Sequence, residues 1–403
     1  MVNISDLGTV NGPSASNFGD TMMISKDGFS IVVGARDDST PVAGGTASVY
    51  YYSNNTWSLK GNKVTAKDGG NRNGYGVAIN ANGSIFATTQ INYTTFDTAG
   101  VVRVYQYVTS DWQQKGSNIT TNISQNRFGN SLALNDDGTI LAIQSLPVNS
   151  DLAYLRIYKY TTDWNLMTSG TFNKQYKSLS FSSDGYTLAA NTSGLTYLAD
   201  IYRYTSSTWS LKVTINEGTS SPWGPPATTN LSGQLINTSI SLNTDGTIVA
   251  IGDWFTKTVK VCSLNYSTTP NSYSVIGTIT SSVYSFGFSV SLNADGNRFA
   301  VSAPTYTSSS GNIVVVYDYD GSTWSPIYTF NGGTNSSLSY GCVVSFDRTG
   351  SILAIAADNN ASGYFTVKQF LKTSTTLSNF TIGSRTIGIE FVIIFCRNYV
   401  NNS

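Results

Sequence analysis

Trp223, in the stretch SPWGPP, and Trp254 with Phe255, in GDWFTK, are the side chains of this chain best suited to gripping a ligand. A large flat ring buries much area for few rotatable bonds, which is why aromatic residues anchor binding surfaces. Arg36, Asp37 and Asp38, adjacent in one segment, form a second candidate patch. Each candidate has a plainer reading. Trp223 can fold back onto Pro222, Pro225 and Pro226 as a small loop core, and loop charges are commonly just solvated.

Other chemistry is narrowed by what the chain lacks. It has no histidine, which removes the usual general base near neutral pH, the Ser-His and Cys-His nucleophile pairs and the commonest zinc ligand. Its three cysteines, Cys262, Cys342 and Cys396, are far apart and cannot all pair within one chain, so buried free thiols are expected rather than a disulfide framework or metal knuckle. No catalytic set, cofactor motif or metal site is expected. Net charge is zero and charged residues make up 11%, against about 25% in typical soluble domains. A nucleic-acid partner is therefore not expected. The surface is carried by Ser, Thr, Asn and Gly, a style that suits extracellular or virion-surface proteins. No basic and apolar leader is visible in MVNISDLGTV, so no signal peptide is read there.

The elements that must position the candidates are repeats of one unit, clearest in Phe286 to Trp324. An Asp-Gly-type turn recurs seven times: Asp27-Gly28, Asn82-Gly83, Asp137-Gly138, Asp184-Gly185, Asp245-Gly246, Asp295-Gly296 and Thr349-Gly350. Its spacing, about 47 to 61 residues, is the period of a four-stranded propeller blade. Both central turn residues are expected at positive φ. Apolar pairs such as Val77 and Ile79 precede each turn and mark strand one. A small or modest apolar residue follows on strand two: Val32, Ala87, Ala142, Ala189, Ala250, Ala300 and Ala354. Strand three carries Tyr-x-Tyr in blades one to four and six. A tryptophan (Trp57, Trp112, Trp164, Trp209, Trp324) then opens strand four, and wedge packing between blades is its expected role.

The fold class expected is therefore all-β: a seven-bladed β-propeller of four-stranded antiparallel blades over residues 1–370, followed by an extension, 371–403, packed on the propeller or at an oligomer contact. Asn3 to Val10, similar to the stretch from Tyr273, is expected to supply the outer strand of the seventh blade and close the ring; Leu371 to Phe380 is the competing segment. Ile387 to Phe395 is too short for a membrane helix, which needs about 20 residues. An added edge strand or an oligomer contact is the expectation there.

Phe18-Gly19 with Gly34-Ala35, and Phe286-Gly287 with Ala303-Pro304, resemble the FG-GAP repeat, the propeller of the integrin α-chain head and many microbial surface proteins; Phe128-Gly129 and Tyr340-Gly341 keep the first half. The resemblance covers nearly the whole chain to about residue 370. It implies a surface propeller, but the D-x-D-x-D-G calcium loops of that family are absent: the turns carry at most two acids, and no metal is implied. Sialidase boxes with an arginine triad are absent too.

In such a blade the turns after strands one and three emerge on one face, and the strand-two-to-three and blade-to-blade loops on the other. The long segments, Arg36 to Thr46, Gln90 to Ala99, Pro304 to Ser310 and Asn216 to Gln234, fall on the second face, where loops on a rigid scaffold serve binding. Trp223 and Trp254 share one sector of it. The expected function is a non-enzymatic surface or virion module, structural or adhesive, that binds a protein or glycan through the long-loop face and can assemble into a larger particle. The alternative is a polysaccharide-degrading enzyme using central-channel carboxylates.

Overall fold

A computed structural model describes residues 2–39, 44–66, 71–92, 100–121, 126–147, 154–192, 197–216, 239–304, 312–333, 339–358, 362–371, 381–382 and 385–386. Among the described residues it contains seven antiparallel blade sheets and a two-stranded ribbon that pairs Thr381–Ile382 with Arg385–Thr386. Blades one to six run in chain order from innermost to outermost strand, beginning at Phe18–Ile24, Asn71–Ile79, Asn126–Leu134, Tyr176–Phe181, Ser239–Leu242 and Val290–Leu292. Blade seven is composite. Ser339–Phe346, Ile352–Asp358 and Ser362–Leu371 supply its inner three strands, and Asn3–Ser14 pairs antiparallel with the last, from Asn3 opposite Leu371 to Ser14 opposite Ser362. The N-terminal strand thus closes the ring, four residues longer than expected. Leu371 ends the third strand of that blade, and residues 372–380 lie outside the described residues, as does 387–403.

Burial explains why the sheets need one another. Seven apolar clusters occupy the seams between successive blades, including the one between blades seven and one that holds Phe18, Trp57, Ala354 and Phe365. All seven strand-two residues named from the sequence are fully buried, so a larger side chain there would overfill the seam. Each Tyr-x-Tyr segment sets its second ring directly across from the blade's tryptophan: Tyr52–Trp57, Tyr107–Trp112, Tyr160–Trp164, Tyr204–Trp209 and Tyr319–Trp324 have centroids 4.9–5.5 Å apart. Those indoles reach the preceding blade, where Trp112 and Trp164 donate Nε1–H to Lys60 O (2.6 Å) and Lys115 O (2.8 Å).

The Phe-Gly dipeptides have a mechanical reason. Gly19, Gly129, Gly287 and Gly341 all have φ between 84° and 95°, a region L side chains rarely adopt. Ladder register slips at this point in blades one, three and seven, with pairs on either side of the slip, so the glycine lies in a bulge that interrupts strand-one pairing. A Cβ added to Gly252, on strand two of blade five, would lie 2.2 Å from Gly287 O of blade six. The two glycines let adjacent backbones touch.

The seven turns differ from the expected geometry. Only the glycine has positive φ, 64° to 79°, while the residue before it does not. Gly28 N–H donates to Ser25 O (2.9 Å) and Ser25 N–H to Ser30 O (2.7 Å), a four-residue loop closed by a left-handed glycine. In several blades an Asn or Asp just before the loop accepts both following amides: Asn135 Oδ1 takes Thr139 N–H (2.9 Å) and Ile140 N–H (2.8 Å). The doubly positive geometry appears instead after strand three, at Asn54-Asn55 and Ser206-Ser207.

Those inner loops also join one another. Amide to carbonyl, Asp27 bonds Ala81, Ala81 Asp136, Asp136 Ser183, Ser183 Thr244, Thr244 Ala294, Ala294 Arg348 and Arg348 Lys26, at 2.8–3.1 Å. This closed collar of backbone hydrogen bonds rims one mouth of the central channel. The innermost strands present an unpaired edge to the channel, and serines of the preceding blade cover part of it: Ser345 Oγ accepts Ile24 N–H, Ser241 that of Leu292, Ser291 that of Phe346 and Ser289 that of Val344. In blade one Thr56–Leu59 and Val64–Thr65 both pair with Thr46–Ser53, so that blade has five segments rather than four.

Candidate functional site

Three places on the described molecule could serve function. The first is the corner of blade five on the long-loop face. Asp253 ends strand two, and its carboxylate shapes the turn that follows: Phe255 N–H donates to Oδ1 (3.0 Å) and Thr256 Oγ1 bonds Oδ2. Lys257, at φ 57°, completes it. The turn pushes Phe255 outward, 51% exposed, with Trp254 half-buried beneath it and edge-on at 6.1 Å. Ser281 N–H donates to Lys257 O (3.1 Å), which lays the segment entering blade six against this turn. Tyr284 in that segment is 54% exposed. Strand-four tryptophans are mostly buried, so this exposed aromatic corner is a different use of the same residue types. Trp223 lies outside the described residues, as does most of the long segments named from the sequence.

The second place is blade one. Arg36, 8% exposed, pairs with Asp20 (2.8 Å). Asp37 accepts Arg72 Nε–H (2.7 Å) and bonds the Asn17 amide. Asp38, 1% exposed, accepts Thr46 Oγ1–H (2.9 Å) and pairs with Lys63 (3.1 Å). The three are therefore neither solvated loop charges nor neighbours of Trp254. Arg36 and Asp38 are committed to internal partners, and buried pairs of this kind are kept because removing one member strands the other. Behind them, burial pushes the Asp20 carboxyl well above its ordinary value; Arg36 opposes this, and the carboxyl of Asp358 adds to it.

The third place is the central channel, which encloses a cavity of about 230 Å³. At the collar Arg348 of blade seven bonds Asp136 of blade three, which also accepts the hydroxyl of Ser183. Lys26 lies beside them, its ammonium pushed down by burial while Asp136 counteracts. Towards the other mouth the lining includes Asp20, Asn130, Ser131, Lys177, Ser178 and Cys342. Lys177 does not stand out as a site residue in the sequence. Its only signal is a charge where the apolar rhythm of strand one begins, the position held by Tyr75 and Phe288 in other blades.

Among the described residues no group of three or more Cys, Asp or Glu could hold a metal ion. No described helix is long and apolar enough to cross a membrane. Cys262 and Cys342 are buried free thiols.

Fold and seams together define a seven-bladed β-propeller. Neither a family model nor a curated protein matches the chain. Among solved structures it is similar to the β-propeller domain of Cps50 (Swd1) from Myceliophteria thermophila, with a TM-score of 0.61 at 11% identity over 92% of this chain and 99% of that one. At this identity the likeness is one of fold, and function must come from the site.

Proposed function

We propose that this propeller is a non-enzymatic binding module, of the FG-GAP kind its repeats resemble, that takes a protein or glycan partner on the long-loop face at blade five. One observation carries this: an exposed Phe255 braced edge-on by Trp254 on a turn fixed by Asp253, with exposed Tyr284 in the segment that Ser281 ties to that turn. A rigid aromatic platform on a rigid scaffold loses little entropy on binding. Trp223, which the sequence places in the same sector, lies outside the described residues. A low-charge, Ser/Thr/Asn-rich exterior fits an adhesive or structural role outside a cell or on a virion, within a larger particle.

A glycan array followed by titration of the hits tests the reading. Replacing Trp254 or Phe255 by Ala is expected to weaken binding about 30-fold or more, the size of a central aromatic anchor. Unchanged affinity in both variants rejects this corner as the site. Labelling of intact particles or cells with an antibody to the protein tests its location.

A second reading, hydrolysis of a polysaccharide by channel carboxylates, has one observation in its favour. Asp20 lines the cavity and holds its proton beyond the ordinary carboxylate range beside Asp358, as one member of an acid pair does. Turnover of any oligosaccharide, lost in Asp20→Asn, would favour it.

A further inference from the structure

Most of the charge lining the channel is answered from within. Arg348 meets Asp136, Lys26 lies beside both, and Asp20 meets Arg36. Lys177 is different. It faces the cavity from the innermost strand of blade four, and no carboxylate among the described residues pairs with it. Burial alone acts on its ammonium, pushing it towards the neutral form. An unanswered charge costs more the further it is withdrawn from water, and half-buried Lys177 is left without the partner that the other channel charges have.

The neighbours of Lys177 are unused in the same way. Ser131 and Ser178 occupy the places that Ser239 and Ser289 hold in blades five and six, where the hydroxyl caps the next blade's amide: Val290 N–H at 3.0 Å and Val344 N–H at 3.1 Å. Neither Ser131 nor Ser178 makes that bond among the described residues. Asn130, 8% exposed and also on the lining, has its Oδ1 buried without a partner. The amide can turn to present its NH₂, because the two ends are interchangeable until a partner fixes them.

From this donor set we infer that the central channel holds an anion-binding site, in which Lys177, the Asn130 amide and the hydroxyls of Ser131 and Ser178 receive a small carboxylate or phosphate group. One cation with several neutral donors is the chemistry that recognises an oxyanion, and the two acids on the lining, Asp20 and Asp136, already have arginine partners in Arg36 and Arg348. The cavity, of about 230 Å³, has room for a small molecule and is lined by neither Trp254 nor Phe255, so this site is separate from the blade-five platform and does not depend on it.

Thermal denaturation and titration calorimetry with inorganic phosphate and with glucuronate, against chloride at equal ionic strength, provide the test. Either probe at saturation is expected to raise the wild-type Tm by about 2–4 °C, as linkage requires of a ligand bound only to the native state. Phosphate alone acting identifies a phosphate-type ligand, glucuronate alone a carboxylate; both support the site. Lys177→Met should abolish the shift and, without a probe, be no less stable than wild type, because it removes an unanswered charge. Asn130→Asp, which adds a competing negative charge, should also abolish it, and serves if the first variant fails to fold. No shift with either probe, or an equal shift in wild type and both variants, overturns the inference.

Discussion

Gly8 of the N-terminal strand lies under the indole of Trp57 in blade one: a Cβ on Gly8 would be 3.7 Å from Trp57 Cδ1. The same relation joins Gly61 to Trp112, Gly116 to Trp164 and Gly277 to Trp324. The N-terminal strand therefore does for blade one what the outer segments of blades one, two and five do for the blades that follow them, and the ring closes through an ordinary seam.

This closure is expected to dominate stability. Gly8 has φ +112°, so Gly8→Val should cost about 1–3 kcal/mol, and Trp57→Ala about 3–5 kcal/mol through the cavity it leaves. Deleting residues 2–14 exposes the edge of Ser362–Leu371 and should produce aggregation rather than a monomer whose seventh blade has three strands. Urea denaturation and light scattering check both. A soluble truncated monomer with wild-type midpoint would refute the closure.

Arg348 and Asp136 meet across the channel from blades seven and three. Their side chains are partly exposed, so a double-mutant cycle with Ala at each should give a coupling of about 1 kcal/mol or less. It should shrink as salt is raised. A coupling that ignores salt would mean that the pair is sealed from solvent.

Asp20 gives a pH signature. Its carboxyl binds a proton more tightly folded than unfolded, so its contribution is full below 3.8 and is lost as pH rises through the folded value. Asp6 and Asp245 are shifted the other way: hydrogen bonds hold them below the ordinary value, Lys368 assisting Asp6, and their contribution is lost as pH falls through it. The wild type mixes the two trends. Asp20→Asn should remove the first, so the difference in Tm, wild type minus variant, should fall as pH is raised from 3.8. A difference independent of pH would count against the assignment.

Cys262 and Cys342 should resist modification. Burial pushes the Cys262 thiol up to about 12 and raises Cys342 well above its usual value, and the thiolate is the reactive form. Neither should react with a thiol reagent at pH 8 in the native protein, and both should react promptly in denaturant, as read by peptide mass mapping.

Blade number, strand order within each blade, and the closing strand were legible in the sequence because each rests on short-range pattern: alternation at period two, glycine at a left-handed position, an aromatic a fixed step beyond a turn. A propeller repeats that local grammar, so seven weak signals reinforce one another. The turn geometry was legible only in part. Asp-Gly fits two loop conformations, and the four-residue one is selected by capping from Asn135 and its equivalents and by the collar between blades.

The sequence by itself determined that seven small sheets must share their faces, since no single blade has enough apolar area to stand alone. Tertiary structure decided what each polar side chain faces. Arg36 and Asp38 look like loop charges until Asp20 and Lys63, brought from other segments, bury them. Lys177 looks like a break in a strand until the ring places it in a channel beside Asn130 and Ser131. Contacts between blades join residues about 50 positions apart or, at the closure, more than 300, and no local pattern encodes which partner the ring will supply.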